Sequence, residues 1–178
     1  MGIITFAGDV MMSFPARWWH GYLSVLGLVA LDQLTKGIML ELIFSPPRVI
    51  TIMPFLNFSP AYNTGISFGM FGNSGAIGVV VLTFFAVAVG LLLPYISRDW
   101  LPLGRWGAIM MAGGAIGNAV DRIRIGKVVD FIDVHAAGFH WPAFNIADSV
   151  IVIGVGFMLY SSWRQGKDQC DENHDHEI

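Results

Sequence analysis

Five short polar groups interrupt an otherwise apolar chain, and their side chains can move protons or hold a peptide backbone. The first is Asp32-Gln33-Leu34-Thr35-Lys36 and the second Tyr62-Asn63-Thr64-Gly65-Ile66-Ser67-Phe68. The third runs from Gly113 to Arg122 and contains Asn118, Asp121 and Arg122. The fourth is Val128-Val129-Asp130-Phe131, and the fifth Phe144-Asn145-Ile146-Ala147-Asp148. Aspartate recurs through them. Two carboxylates held close together cannot both ionise easily, so they share a proton. Such a pair can activate water and protonate a leaving amine, which is what peptide hydrolysis requires.

Other hydrolytic chemistries are poorly supplied. There is no His-Glu-x-x-His helix for zinc and no Gly-x-Ser-x-Gly elbow. The single cysteine, Cys170, lies in the acidic C-terminal tail with His174 and His176, far in sequence from the five polar groups. It excludes an intrachain disulfide. His135 and His140 fall on an expected surface loop. No metal and no cofactor is expected.

Each group also has a plain structural reading. Asp32 and Lys36 are spaced i, i+4 and share a helix face, so they can be a local ion pair that lowers the cost of insertion into lipid. Asn63 to Gly65 suits a turn. Gly113 and Gly117 have the spacing that lets helices approach closely. Asn118, Asp121 and Arg122 share one face, and Arg122 is placed to hold Asp121 ionised. Asp148 can cap the helix that follows it.

The elements that must position these groups are set by hydropathy. The chain has 178 residues, 54% hydrophobic and only 13% charged. Its mean hydropathy is +0.61. Soluble domains carry about 25% charged residues, so a water-facing surface is excluded and a membrane protein is implied. The formal charge of −3 belongs to the tail, and no basic patch suggests nucleic acid. The stretch from Met1 to Pro15 lacks a signal-peptide pattern.

Four segments have the length to cross a bilayer: Tyr22 to Leu42, Gly75 to Tyr95, Leu103 to Val120 and Phe144 to Trp163. Between the first two, Arg48 to Tyr62 is rich in β-branched and aromatic residues and reads as short strands. Arg122 to Pro142 reads as a polar connection. The expected fold is a mainly α membrane protein with four transmembrane helices and a small β-rich platform. Residues 1–164 form one membrane-embedded domain, and residues 165–178 a disordered acidic tail. Basic residues fall in equal number on the two sides, so charge bias does not orient the chain.

The five groups, in this order on a four-span scaffold, resemble the lipoprotein signal peptidase (signal peptidase II) family from Asp32 to Asp148. The resemblance implies an aspartic endopeptidase that acts on bacterial prolipoproteins. It would cut on the N-terminal side of a cysteine already carrying diacylglycerol. It implies Asp130 and Asp148 as the catalytic pair. Asp32, Lys36, Asn63, Gly65, Asn118, Asp121, Arg122 and Asn145 would support the site or bind substrate. It places the protein in the bacterial inner membrane with both termini cytoplasmic and the platform and site near the periplasmic face. The expected partners are the lipidated prolipoprotein and membrane lipids, and the expected state is a monomer. An extended substrate would lie against the platform as an added strand. Two competing readings are a proton- or ion-coupled carrier, relaying through Asp32, Lys36 and Asp148, and a non-enzymatic scaffold.

Overall fold

The computed structural model describes residues 18–65 and 75–175. The N-terminal stretch up to Pro15, the Ile66 to Phe68 end of the second polar group and the tail side chains from residue 168 on, Cys170, His174 and His176 among them, lie outside it. Helix α1 spans Trp18–Ile43, α2 Gly75–Ile96, α3 Pro102–Ile125 and α4 Ile146–Asp175. Strands β1 (Ile50–Met53) and β2 (Leu56–Asn63) precede α2, and β3 (Val128–Ala136) and β4 (Phe139–His140) follow α3. The strands form one antiparallel sheet in the order β1-β2-β3-β4.

Polarity is inverted relative to a soluble protein. Phe84 on α2 is 77% exposed, whereas Asp32 on α1 is 1% exposed. Among the described residues, three segments are long and apolar enough to cross a membrane: Trp19–Ile43, Ala76–Asp99 and Ile146–Lys167. The third expected crossing, on α3, is not among them. Its helix is long, but it carries Arg105, Asp121, Arg122 and Arg124 and many glycines. The other three helices all pack on it. A helix covered by protein has no need of an apolar exterior, since polar groups in such bundles face inward.

Small residues make this central position possible. A Cβ on Gly107 would lie 2.5 Å from the Gly154 carbonyl oxygen of α4, and one on Gly154 2.6 Å from that of Gly107. Toward α1, a Cβ on Gly117 would lie 2.6 Å from Asp32 Oδ2. Backbones approach here to distances that side chains forbid. Val25, Ile109 and Ala112 form a small apolar core between α1 and α3.

Two stretches differ from the sequence expectation. Arg122 to Pro142 is not a loop: α3 continues to Ile125, and the β-branched run from Val128 becomes β3. Gly126 ends α3 at φ +72°, its N–H bonded to the Arg122 carbonyl at 3.0 Å, a left-handed helix cap. Ala137 and Gly138 both have positive φ between Ala136 and Phe139, the geometry of a tight hairpin turn. His135 and His140 therefore face each other across strands, with ring centroids 4.9 Å apart. At the C-terminus α4 runs on to Asp175, so the start of the acidic tail is helical where an irregular chain is expected; that stretch contains no proline to stop it.

The Gly107–Gly154 contact makes a direct prediction. Gly107→Val forces α3 and α4 apart and costs about 1–3 kcal/mol, the usual range for overpacking. Thermal unfolding in detergent should show a lowered midpoint, while Gly27→Ala, in open space on α1, should not.

Candidate active site

The site is built outward from a buried ammonium. Lys36 Nζ lies 2.8 Å from Asp32 Oδ2, 2.9 Å from Asp121 Oδ2 and 2.9 Å from Asn118 Oδ1. Its side chain is 2% exposed. An ammonium has three N–H donors, and here each has an acceptor. Two acceptors come from α3 and one from α1, so the cation fastens the two helices together.

Each partner is held again elsewhere. Asp32 Oδ1 accepts the Ala147 backbone N–H at 3.1 Å, in the first turn of α4. Asp121 Oδ2 also accepts the Val129 N–H at 3.1 Å, where β3 begins. The expected Asp121–Arg122 pair does not form. Lys36 takes Asp121, and Arg122 turns the other way to donate to the Gly65 carbonyl at 2.9 Å. The i, i+1 positions on a helix do not face each other, which is why the adjacent cation loses to the one across the bundle.

Asn118 passes this constraint to the carboxylates. Its Oδ1 faces Lys36, which can only donate, so the amide orientation is fixed. Its Nδ2 then donates to Asp148 Oδ1 at 2.8 Å. Asn145 Nδ2 donates to Asn118 Oδ1 at 3.1 Å and to Asp130 Oδ1 at 2.7 Å. Asn145 is also the cap of α4. Its Oδ1 accepts the Asp148 N–H at 3.0 Å, and Asp148 Oδ2 accepts the Asn145 N–H at 3.2 Å. This is a reciprocal capping box. The structural reading of Asp148 is thus half right: Asn145 caps, and Asp148 completes the box. One asparagine bonds to both Asp130 and Asp148.

Asp130 sits on β3, opposite Ala61 of β2, and is 2% exposed. Burial, and then the neighbouring charge of Asp148, push its carboxyl up to about 7, against hydrogen bonds from Asn145 and Asn63 that favour the anion. Asn63 also accepts the Gly65 N–H at 2.9 Å, closing the expected turn. Asp148 is half-buried and opens onto a cavity of about 360 Å³. Asn63, Gly65, Asn118 and Arg122 line the polar end of this cavity, and Leu82, Phe85 and Ile151 its apolar depth between α2 and α4. The Arg122 Nε–H is buried there without a partner among the described residues.

Every site residue named from the sequence therefore belongs to one connected constellation. Sequence reasoning missed Gln33. Its Nε2 lies 2.9 Å from Asp121 Oδ1 and 3.2 Å from Asp32 Oδ2, and its Oε1 accepts from Arg124 at 3.2 Å. The signal was present: an amide beside Asp32 in an apolar helix needs partners as much as a charge does.

His135 and His140 lie elsewhere. His140 bonds Asp133 Oδ1 through Nδ1 at 2.8 Å. Burial opposes the charge of Asp133, but His140 and Asn57 outweigh it and hold that carboxyl below its ordinary range. Asp133 is three residues along β3 from Asp130, so it points to the opposite face. Strand addition beside Asp130 is also closed. β2 occupies one side of β3, and on the other Phe131 and Ile132 bond Phe144 while Asn145 takes the Val129 carbonyl at 3.3 Å.

Residues 24–164 match the family model for signal peptidase (SPase) II. The chain is 40% identical over 142 residues to the lipoprotein signal peptidase of Syntrophotalea carbinolica, covering 78% of this chain and 88% of that one. It is 40% identical over 148 residues to that of Rhodopseudomonas palustris, covering 80% and 90%. A solved bacterial membrane enzyme superposes with a TM-score of 0.71 at 25% identity, covering 84% of this chain and 91% of that chain. A second gives 0.66 at 28% identity, covering 80% and 92%.

The network predicts a steep cost for losing its cation. Lys36→Met strands two buried carboxylates and should destabilise by about 3–5 kcal/mol. Adding Asp32→Asn and Asp121→Asn to Lys36→Met should recover part of that loss in thermal unfolding. Strict additivity of the three changes would mean that the groups do not interact.

Proposed function

We propose, from the premise that this chain belongs to the signal peptidase II family of peptidases that process prolipoproteins, that it is an aspartic endopeptidase whose catalytic pair is Asp130 and Asp148. The observation that carries this reading is Asn145, which bonds both carboxylates at once. The raised pKa of Asp130 supports a pair that keeps one shared proton at neutral pH. The ionised member takes a proton from water as the water oxygen attacks the scissile carbonyl carbon. The protonated member gives its proton to the carbonyl oxygen. Collapse of the tetrahedral species breaks the C–N bond, and a proton passes to the leaving amine. Arg122, with its unpartnered Nε–H, and Asn63 serve the peptide rather than the proton.

The substrate would be a diacylglyceryl-modified prolipoprotein, cut N-terminal to the lipidated cysteine. Since the edge of β3 beside Asp130 is occupied, the peptide enters instead from the lipid side, through the cavity between α2 and α4. Its acyl chains stay among the helices. In this reading α3 is a fourth crossing and both termini are cytoplasmic in the inner membrane. The site lies toward the periplasmic face. Residues 1–164 then form one peptidase domain, working as a monomer, with the acidic tail peripheral to it.

Purified protein in detergent should cleave a diacylglyceryl-modified prolipoprotein, seen as a gel shift. Asp130→Asn and Asp148→Asn should fold yet give no product, while Asp121→Asn keeps measurable activity. An inactive Asp121→Asn beside an active Asp130→Asn would place the chemistry on a different pair. Proton or solute flux without cleavage would favour a carrier.

A second expectation concerns pH. The reaction needs the shared proton, and Asp130 holds its proton up to about 7. The rate should therefore fall on the alkaline side of about 7, approaching tenfold per pH unit. A flat profile from pH 6 to 9 in folded protein would argue against a proton-sharing pair.

A further inference from the structure

The bundle holds a second cavity, of about 530 Å³, away from the carboxylates. It lies between the turn that precedes α3 and the far half of α4. From Gly104, on its wall, to Asn118, α3 rises about 21 Å, so the two cavities sit toward opposite ends of the bundle. Exposed Tyr95, Trp100, Trp106, Tyr160 and Trp163 cluster at this end. Such aromatic belts mark the headgroup level of a bilayer.

The lining is graded. Trp100, Leu101, Met158 and Leu159 give an apolar wall, and Ser161, Ser162 and Gln165 a polar one. Ser161 is 6% exposed and accepts from Gln165 at 3.5 Å. Charge adjoins the cavity, with the Arg98 guanidinium beside it, 4.3 Å from the centre of the Tyr95 ring. Arg98 Nε lies 3.0 Å from Asp99 Oδ2, with side chains 38% and 72% exposed. Asp99 itself lines the cavity. A cation and an anion side by side complement a headgroup with a phosphate and an ammonium side by side. A singly anionic headgroup would meet Asp99 unfavourably.

We propose that this cavity binds one glycerophospholipid with a zwitterionic, ammonium-bearing headgroup. The ammonium bonds Asp99, the phosphate meets Arg98, and the glycerol and first acyl carbons lie against Ser162 and Leu101. The site is independent of the peptidase chemistry and does not rest on it.

The test is native mass spectrometry of the full chain after delipidation. Phosphatidylethanolamine, phosphatidylcholine and phosphatidylglycerol are added back separately. Phosphatidylethanolamine should remain as a single bound lipid. Phosphatidylcholine, which cannot donate a hydrogen bond through its nitrogen, should be held more weakly, and phosphatidylglycerol weakest. Asp99→Asn should reduce retention about three- to fivefold, the scale of an exposed ion pair. Ser162→Trp, which fills the cavity, should abolish it. Ile77→Trp on the exposed face of α2 should leave it unchanged, and circular dichroism and gel filtration check the folding of each variant. Equal retention of all three lipids, unaffected by Ser162→Trp, would mean surface lipid only and overturn the proposal. Preference for phosphatidylglycerol would overturn the assigned headgroup.

Discussion

Everything at the candidate site depends on one buried ammonium with three acceptors. A lone lysine inside a membrane bundle is costly, and so is a lone aspartate. Placed together they tolerate each other, provided that each N–H and each oxygen finds a partner. Lys36, Asp32, Asp121 and Asn118 meet that condition. Because their second bonds reach α4 and β3, satisfying the charge also fixes where the carboxylate-bearing elements begin. Position at the site thus follows from electrostatics in the interior.

The two aspartates come from unlike elements. Asp130 rides on a strand, and Asp148 on the first turn of a helix. Neither element alone sets the relation between them. Asn145 does, using one side chain and one backbone N–H to reach both. Asp148 stands half-buried at a helix N-terminus, whereas Asp130 is almost fully buried on a strand. The environments differ even though the residues are the same type, which is the condition for two carboxylates to divide acid and base work.

Much of the site was legible because charge in an apolar chain must be accounted for. Asp32, Lys36, Asn118, Asp121 and Asp148 stood out on cost alone, and the i, i+3 and i, i+4 spacings placed them on shared faces. Partner choice was less legible. Arg122 is next to Asp121 in sequence, but pairing across the bundle is a tertiary fact. The β3–β4 hairpin was hidden because its turn is Ala137-Gly138 rather than the usual Asn-Gly or Asp-Gly. The closed flank of β3 was hidden too, since a bond to Phe144 from a backbone N–H leaves no trace in side-chain type. The apolar character of α1, α2 and α4 could be read directly. α3 is less apolar than the membrane-length segments of the other three, since it carries Arg105, Asp121, Arg122 and Arg124, and several of its glycines and alanines pack inside rather than facing lipid.

That difference bears on biosynthesis. α1 can partition into lipid as it leaves the ribosome, since Asp32 and Lys36 neutralise each other within one turn. α3 is made later, and it lacks the hydropathy to partition alone. Its carboxylate and asparagine find their cation only on α1, already in place, and its glycine seam finds its match only on α4, which has yet to be made. If α3 crosses the membrane as proposed, its insertion and its tertiary assembly are one event, and the residues that prepare the site also admit the helix.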